Sequence, residues 1–321
     1  MKTDINYING IIFSAHKNLM TRDKLNRMAD AADAAEAFAV MKEQGYDGAD
    51  TARDYATALL KEEQKLLDFI RECGFGEEIE AFCLAKNDFF NAECECRARH
   101  IDGMNPVYRP DGKITERRRG FGIKSGQSAL EKALSRTAER ADALFDGATP
   151  SGSDVTTVFL RGYYEYALKI IRSSRLKKII RFEIDAKNIS VALRCASSAE
   201  FYKACIPGGN IAPEDVAELC GGDRRAAELK FAYTDGYAYI RTALEERSAG
   251  KPMTAFEKAA DDYALECMDD VRYAAHGKFP AVLYYLYKTA EIKNLRTIMA
   301  LKLISCPAEE IKRRLRKGYV G

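Results

Sequence analysis

The chain is 321 residues long, 47% hydrophobic and 31% charged, enough to bury one sizeable core or several small ones. Its 50 Lys and Arg against 48 Asp and Glu leave a formal charge of +2, so no global field marks it as a binder of nucleic acid or of a membrane surface. The apolar run 8–13 is cut by Asn9 and Gly10 and too short for a signal segment, no stretch approaches the roughly 18 apolar residues of a membrane span, and nine cysteines lack small-scaffold spacing; free thiols in a reducing cytoplasm are expected.

In chain order, apolar residues three or four apart predict helices over residues 52–73, 77–99, 129–145, 154–171, 176–195, 225–246, 255–275 and 281–304. Period-two alternation is nearly absent, so the fold class read from the sequence is all-α. Thr254 with Glu257 three residues on reads as a capping box, and Pro280 suits the first turn of the helix that follows. Residues 147–153 and 207–213 are rich in turn formers and read as connections. Residues 104–126 hold Pro, Gly and the triplet Arg117 to Arg119 and are expected to be the most mobile stretch. Together with the neighbourhood of Gly221 and Gly222 they mark the boundaries of three helical repeats, over residues 1–112, 113–222 and 223–321.

Six residues recur at one constant offset of 97 positions: Asp88 and Asp185, Asn91 and Asn188, Arg97 and Arg194, Pro110 and Pro207, Gly112 and Gly209, Ile114 and Ile211. A further 106 positions on, Glu291 and Asn294 stand where Asp185 and Asn188 stand, so an acid-x-x-Asn signature appears three times. Duplication of a structural unit leaves such a register, and it implies three related modules of roughly 100 residues. On a helix an acid at i and an Asn at i+3 share one face, here flanked by Leu84 in the first copy and by Tyr287 and Ile298 in the third. That face is mostly apolar, so carboxylate and amide must find partners. They could form a polar tie between neighbouring helices or bind a ligand; buried polar groups serve packing before chemistry, and the tie is the reading taken.

Residues that could carry chemistry are sparse. Residues 120–126, Gly-Phe-Gly-Ile-Lys-Ser-Gly, precede a predicted helix, but a phosphate loop needs Gly directly before Lys and a strand ahead of it; Ile123 stands before Lys124, and the stretch reads as a linker. His16, His100 and His276 lie far apart, and Cys94 with Cys96 is a single Cys-x-Cys, so no framework for a four-ligand zinc site is visible. Carboxylates one turn apart in the cluster Asp261, Asp262, Glu266, Asp269 and Asp270 could hold magnesium. Leu265, however, occupies the place of the last acid in an Asp-Asp-x-x-Asp motif, and a solvated acidic face meeting a basic partner is expected. Residues 288–317 hold nine Lys and Arg against three Glu, gathered in Lys312, Arg313, Arg314, Arg316 and Lys317. These complement a helix dipole or face acidic loops or anionic headgroups as a subunit interface. No catalytic residue, cofactor or metal is expected, and the chain is expected to bind neither ATP nor metal tightly.

The stretch from Phe279 to Ile298, FPAVLYYLYKTAEIKNLRTI, followed by PAEEIKRRL at 307–315, resembles the ending of the C-type subunits of archaeal and bacterial V/A-type ATPases, relatives of the d-type subunit of eukaryotic V-ATPases. Arg161-Gly-Tyr163-Tyr164, the run from Glu183 through Asn188 to Arg194, and Ile206-Pro207-Gly208-Gly209 fit the same family, and the resemblance covers most of residues 46–321. At the N-terminus the arginine-bearing helix that usually opens the family is replaced by residues 10–17 with Phe13, Ser14 and His16. The resemblance implies an all-helical funnel or socket of three similar domains with pseudo-threefold symmetry. It implies a non-catalytic rotor part on the cytoplasmic face of the membrane, seating the central stalk on the proteolipid ring and passing torque for proton or sodium transport. Ring and stalk subunits would be its partners, with no nucleic acid and no small-molecule substrate. Two other readings stay open: a helical-repeat adaptor for an unrelated protein, and a magnesium-dependent helical enzyme built on the patch around Asp262.

Overall fold

The computed structural model describes residues 5–115, 128–147, 149–221, 229, 231–232, 237–274 and 276–319. Arg117 to Arg119, the phosphate-loop candidate at 120–126, Gly222 and the first part of the helix expected at 225–246 lie outside the described residues. Among those described there are 15 α-helices, four short 3-10 turns and no strand, with an isolated bridge between Thr21 and Tyr319. The fold is all-α.

In chain order the helices are α1 (Ile5–His16), α2 (Arg22–Asp30), α3 (Ala34–Glu43), α4 (Tyr55–Cys73), α5 (Glu77–Cys83), α6 (Ala85–His100), α7 (Ala129–Asp142) and α8 (Gly152–Ile170). They continue with α9 (Ser174–Ala192), α10 (Ser198–Ala204), α11 (Pro213–Ala217), α12 (Tyr237–Ser248), α13 (Thr254–Glu266), α14 (Phe279–Leu303) and α15 (Ala308–Arg314). Local chemistry sets many of the ends. Ser128 with Glu131 and Ser151 with Asp154 form capping boxes that open α7 and α8, and Gly74 closes α4 in the left-handed conformation at φ 61°. Pro280 stands in the first turn of α14, as expected. At α13 the amides of Ala255 and Phe256 are instead held by the Glu246 carboxylate at 2.9 and 3.0 Å, so the preceding helix supplies the cap. The helix expected over 77–99 is broken at Leu84 into α5 and α6.

By packing, the chain divides into two compact units, residues 1–75 with 261–321, and residues 76–260. The first unit is discontinuous in sequence, and α14 is its axis: α1, α2, α3 and α4 all pack against it. Leu295, Ile298 and Met299 of α14 are buried among Leu25, Met28, Phe38, Met41 and Leu59 from the N-terminal helices and Ile311 and Leu315 from the C-terminus. Because it is contacted on several sides, α14 buries residues around most of its circumference rather than along one stripe. His16 sits in this unit among the rings of Phe13, Tyr284, Tyr287 and Tyr319, and burial lowers its pKa.

In the second unit α8 is the hub, packed by α5, α6, α7 and α9. Gly162 of α8 lets α7 approach closely: a β-carbon there would lie 2.3 Å from Thr137 Oγ1 and 2.7 Å from Thr137 Cγ2. Thr137 is buried and its hydroxyl already donates to the Ala133 carbonyl at 2.8 Å, so it has little room to yield. A second cluster gathers Ile189, Phe201, Val216, Phe231, Ile240 and Phe256 around the end of α9. Gly162→Ala is expected to destabilise the chain by about 1–3 kcal/mol in denaturant unfolding, and adding Thr137→Ala should recover part of that loss, a coupling a double-mutant cycle reads directly.

Candidate functional site

The repeated asparagines bond to the backbone of connecting segments. In each copy the asparagine grips the backbone of the segment that returns along its own helix, making two hydrogen bonds to one residue as a neighbouring β-strand would. On α6, Asn91 Nδ2 donates to the Arg109 carbonyl at 3.1 Å and Asn91 Oδ1 accepts from the Arg109 amide at 2.8 Å. On α9, Asn188 does the same with Ile206, at 2.8 and 2.9 Å. On α14, Asn294 does so with Arg316, at 3.2 and 2.8 Å.

The acids complete the clamp in the first two copies. Asp88 accepts from the amides of Lys113 and Ile114 at 2.8 and 2.9 Å; Asp185 accepts from the amides of Asn210 and Ile211 at 3.0 and 3.1 Å. Asn210 Nδ2 adds a third bond to Asp185 at 3.0 Å. Burial raises the Asp185 carboxyl pKa, and the amides of Ile211 and Asn210 offset part of that rise. The recurrent glycines have their explanation here. A β-carbon at Gly209 would lie 2.0 Å from Asp185 Oδ1, and one at Gly112 would lie 2.6 Å from Asp88 Oδ1, so side chains are excluded where carboxylate meets backbone.

The third copy keeps the asparagine half and diverts the acid. Glu291, buried at 3% exposure, accepts from the Met20 amide, the Tyr46 hydroxyl and Lys288 Nζ at 2.5, 2.5 and 2.8 Å. Burial, and then the Glu291 charge, push the Tyr46 pKa well up, so its hydroxyl stays a donor. Next to Arg316, the Lys317 amide donates to Asp262 of α13 at 2.7 Å.

The acidic and basic runs near the C-terminus meet each other. Asp261 binds Lys293 at 2.6 Å and also Arg316; Glu266 binds Lys317 at 2.6 Å; Asp269 binds Arg272 at 3.0 Å. Lys312 pairs with Asp30 at 2.6 Å, while Arg313 and Arg314 both pair with Glu310, at 2.6 and 2.8 Å. Asp261, Asp262, Glu266 and Asp269 are thus engaged by different cations and amides rather than aimed at one ion. Each of the five basic residues singled out in the sequence forms an ion pair within the chain, and the Arg313 side chain remains 74% exposed.

A sequence model of the ATP synthase (C/AC39) subunit family matches residues 8–314. The chain belongs to that family. A match to the C-type subunit of the V-type ATP synthase of Deinococcus radiodurans is 26% identical over 165 residues and covers 50% of this chain and 42% of the relative, less than half of that protein's length. No described helix of this C/AC39 family member is long and apolar enough to cross a membrane.

One cluster was not visible in the sequence. Cys96 and His100 on α6 and Asp142 at the end of α7 come together, with Cys96 Sγ 3.4 Å and His100 Nε2 2.9 Å from Asp142 Oδ1. Burial first, then the Asp142 carboxylate, push the Cys96 thiol up to about 11. The other two histidines lie elsewhere, His16 among aromatic rings and His276 beside Asn6 at 3.0 Å. Only the i, i+4 spacing of Cys96 and His100 could have hinted at the cluster, because Asp142 is 42 positions further on.

Gly209→Ala is expected to cost about 1–3 kcal/mol in chemical unfolding, because the added carbon displaces a buried carboxylate from its amides. Gly10→Ala is the control: nothing lies within 4 Å of that position inside α1, so it should be neutral or mildly stabilising. Burial raises the Asp261 carboxyl, but Lys293 and Arg316 outweigh it and hold the pKa below the ordinary carboxylate value. A depressed folded pKa means the stabilisation is full above the unfolded value of about 4 and is lost as pH falls through the folded value. Melting curves of Asp261→Asn should therefore lie below wild type at neutral pH and converge with it in acid.

Proposed function

We propose that the chain is a non-catalytic central-rotor subunit of a V-type rotary ATP synthase, seating the central stalk on the proteolipid ring and transmitting torque for coupled proton or sodium transport. Family membership over residues 8–314 is the observation that carries this reading. The all-helical fold and the use of the repeated polar residues as structural clamps support it. A torque-bearing part must resist deformation, and close-packed helices with pinned connections compress and shear little.

In this reading the chain sits on the cytoplasmic face of the membrane, peripheral to it through the ring, and its three motif helices descend from one repeated module. The 97-residue offset is matched in all four backbone bonds of the two complete clamps, which supports kinship between them; the asparagine half extends it to the third. The basic residues Lys312, Arg313, Arg314, Arg316 and Lys317 are the proposed subunit interface, with Arg313 the member most open to an acidic partner. An affinity-tagged chain expressed in its native cell should co-purify from detergent-solubilised membranes with proteolipid and central-stalk subunits, and Arg313→Glu should reduce their recovery. Recovery of a tagged, folded chain without any such subunit would favour the adaptor reading instead.

A further inference from the structure

We propose that Cys96, His100 and Asp142 form a site for a zinc-class divalent cation that ties the end of α6 to the end of α7. This stands apart from the rotary assignment and departs from the sequence-based expectation of no metal. The three donor atoms lie within 4.8 Å of one another, with Nε2 at 2.9 Å and Sγ at 3.4 Å from Asp142 Oδ1. Ligands bonded to one zinc ion at about 2.0–2.3 Å stand roughly 3–4 Å apart, so an ion fits with small side-chain adjustment.

The setting favours that ion over others. Thiolate, imidazole and a single carboxylate oxygen make a mixed set suited to zinc, whereas magnesium and calcium take oxygen ligands. Cys96 and His100 are four residues apart on α6 and share one face. The His100 ring is stacked on Phe145, centroids 4.1 Å and planes 6° apart, which fixes Nε2 toward Asp142. The side chains of His100 and Asp142 are 30% and 39% exposed, so an ion can enter from solvent and a water can fill a fourth position.

Arg99 is the competitor, bonded to Asp142 Oδ1 at 2.9 Å and Oδ2 at 3.2 Å. A cation on Oδ1 displaces the first bond and leaves the second, so Arg99 then orients the ligating carboxylate from outside. Cys94, the other half of the Cys-x-Cys, lies 3.5 Å from the Val107 carbonyl and takes no part. Binding exchanges one proton for the metal: the Cys96 thiol releases H⁺ to solvent, its sulfur lone pair bonds the dication, and nothing is oxidised or reduced.

Zinc chloride titrated into the full chain, reduced by a phosphine and stripped of metal, against a chromophoric chelator tests the site, with cobalt(II) as an optical probe of thiolate ligation. The expected result is one ion per chain and a cobalt–thiolate charge-transfer band. His100→Gln and Asp142→Asn should weaken zinc by more than about tenfold, since losing even an outer partner costs roughly 10–100-fold. Cys94→Ser should leave affinity unchanged, and Cys96→Ser should abolish the band. If the buried Cys96→Ser variant fails to fold, His100→Gln, altered near the surface, decides alone. Zinc bound no more tightly by wild type than by His100→Gln, or a band that survives in folded Cys96→Ser, overturns the proposal.

Discussion

The fold depends on how backbone that belongs to no helix is satisfied where it runs against the core. A helix bonds its own peptide groups, and a sheet bonds those of its neighbour; a returning extended segment in an all-helical protein has neither. Here the ladder is supplied by side chains. An asparagine presents a donor and an acceptor in the geometry of a peptide, and a carboxylate three residues earlier offers two acceptors to consecutive amides. Each clamp therefore turns an unpaired stretch into part of the core, and the exclusion of a β-carbon at Gly112 and Gly209 follows from how closely the backbone must approach.

The third motif helix shows what one methylene can change. Glu291 is longer than Asp88 or Asp185, and its carboxylate reaches the Met20 amide, 271 positions away, and the Tyr46 hydroxyl, 245 positions away. The first and last segments of a discontinuous unit thereby meet at a buried charge. Such a charge is costly unless compensated, and Lys288, one turn earlier on the same helix, supplies the compensation together with a contact to Glu62 at 3.6 Å. The same logic of internal neutralisation links the acidic run on α13 to the basic C-terminus, so two opposite charge runs in the sequence become pairings inside one unit.

Much of this was legible in the residues, and the limits are physical. Long helices such as α4, α8 and α14 announce themselves because three or more turns of apolar spacing accumulate a signal that α10, α11 and α15, of five to seven residues, cannot. The offset of 97 marked the acid, the asparagine and the glycine of the two complete clamps, yet it did not say what they grip, because a partner that is a backbone amide leaves no side-chain signature. The spacing of the acidic cluster suggests a solvated face meeting a basic partner, and Asp261 and Glu266 find cations 55 and 51 positions along the same chain, in Arg316 and Lys317. The Cys96 cluster was missed because spacing rules assume ligands near in sequence.

Stiffness has a molecular origin in this arrangement. Van der Waals packing alone holds a connecting segment only loosely in register, since apolar burial carries no direction. A bidentate amide or carboxylate clamp has one register: a shift of an ångström breaks both bonds at once and leaves a buried polar group unpaired at a cost of about 1–3 kcal/mol or more. Clamps on α6, α9 and α14 thus add directional resistance to the non-directional resistance of the cores. The torque-bearing role proposed for this chain would gain from that combination, because work spent in shearing a connection off its helix is not delivered onward.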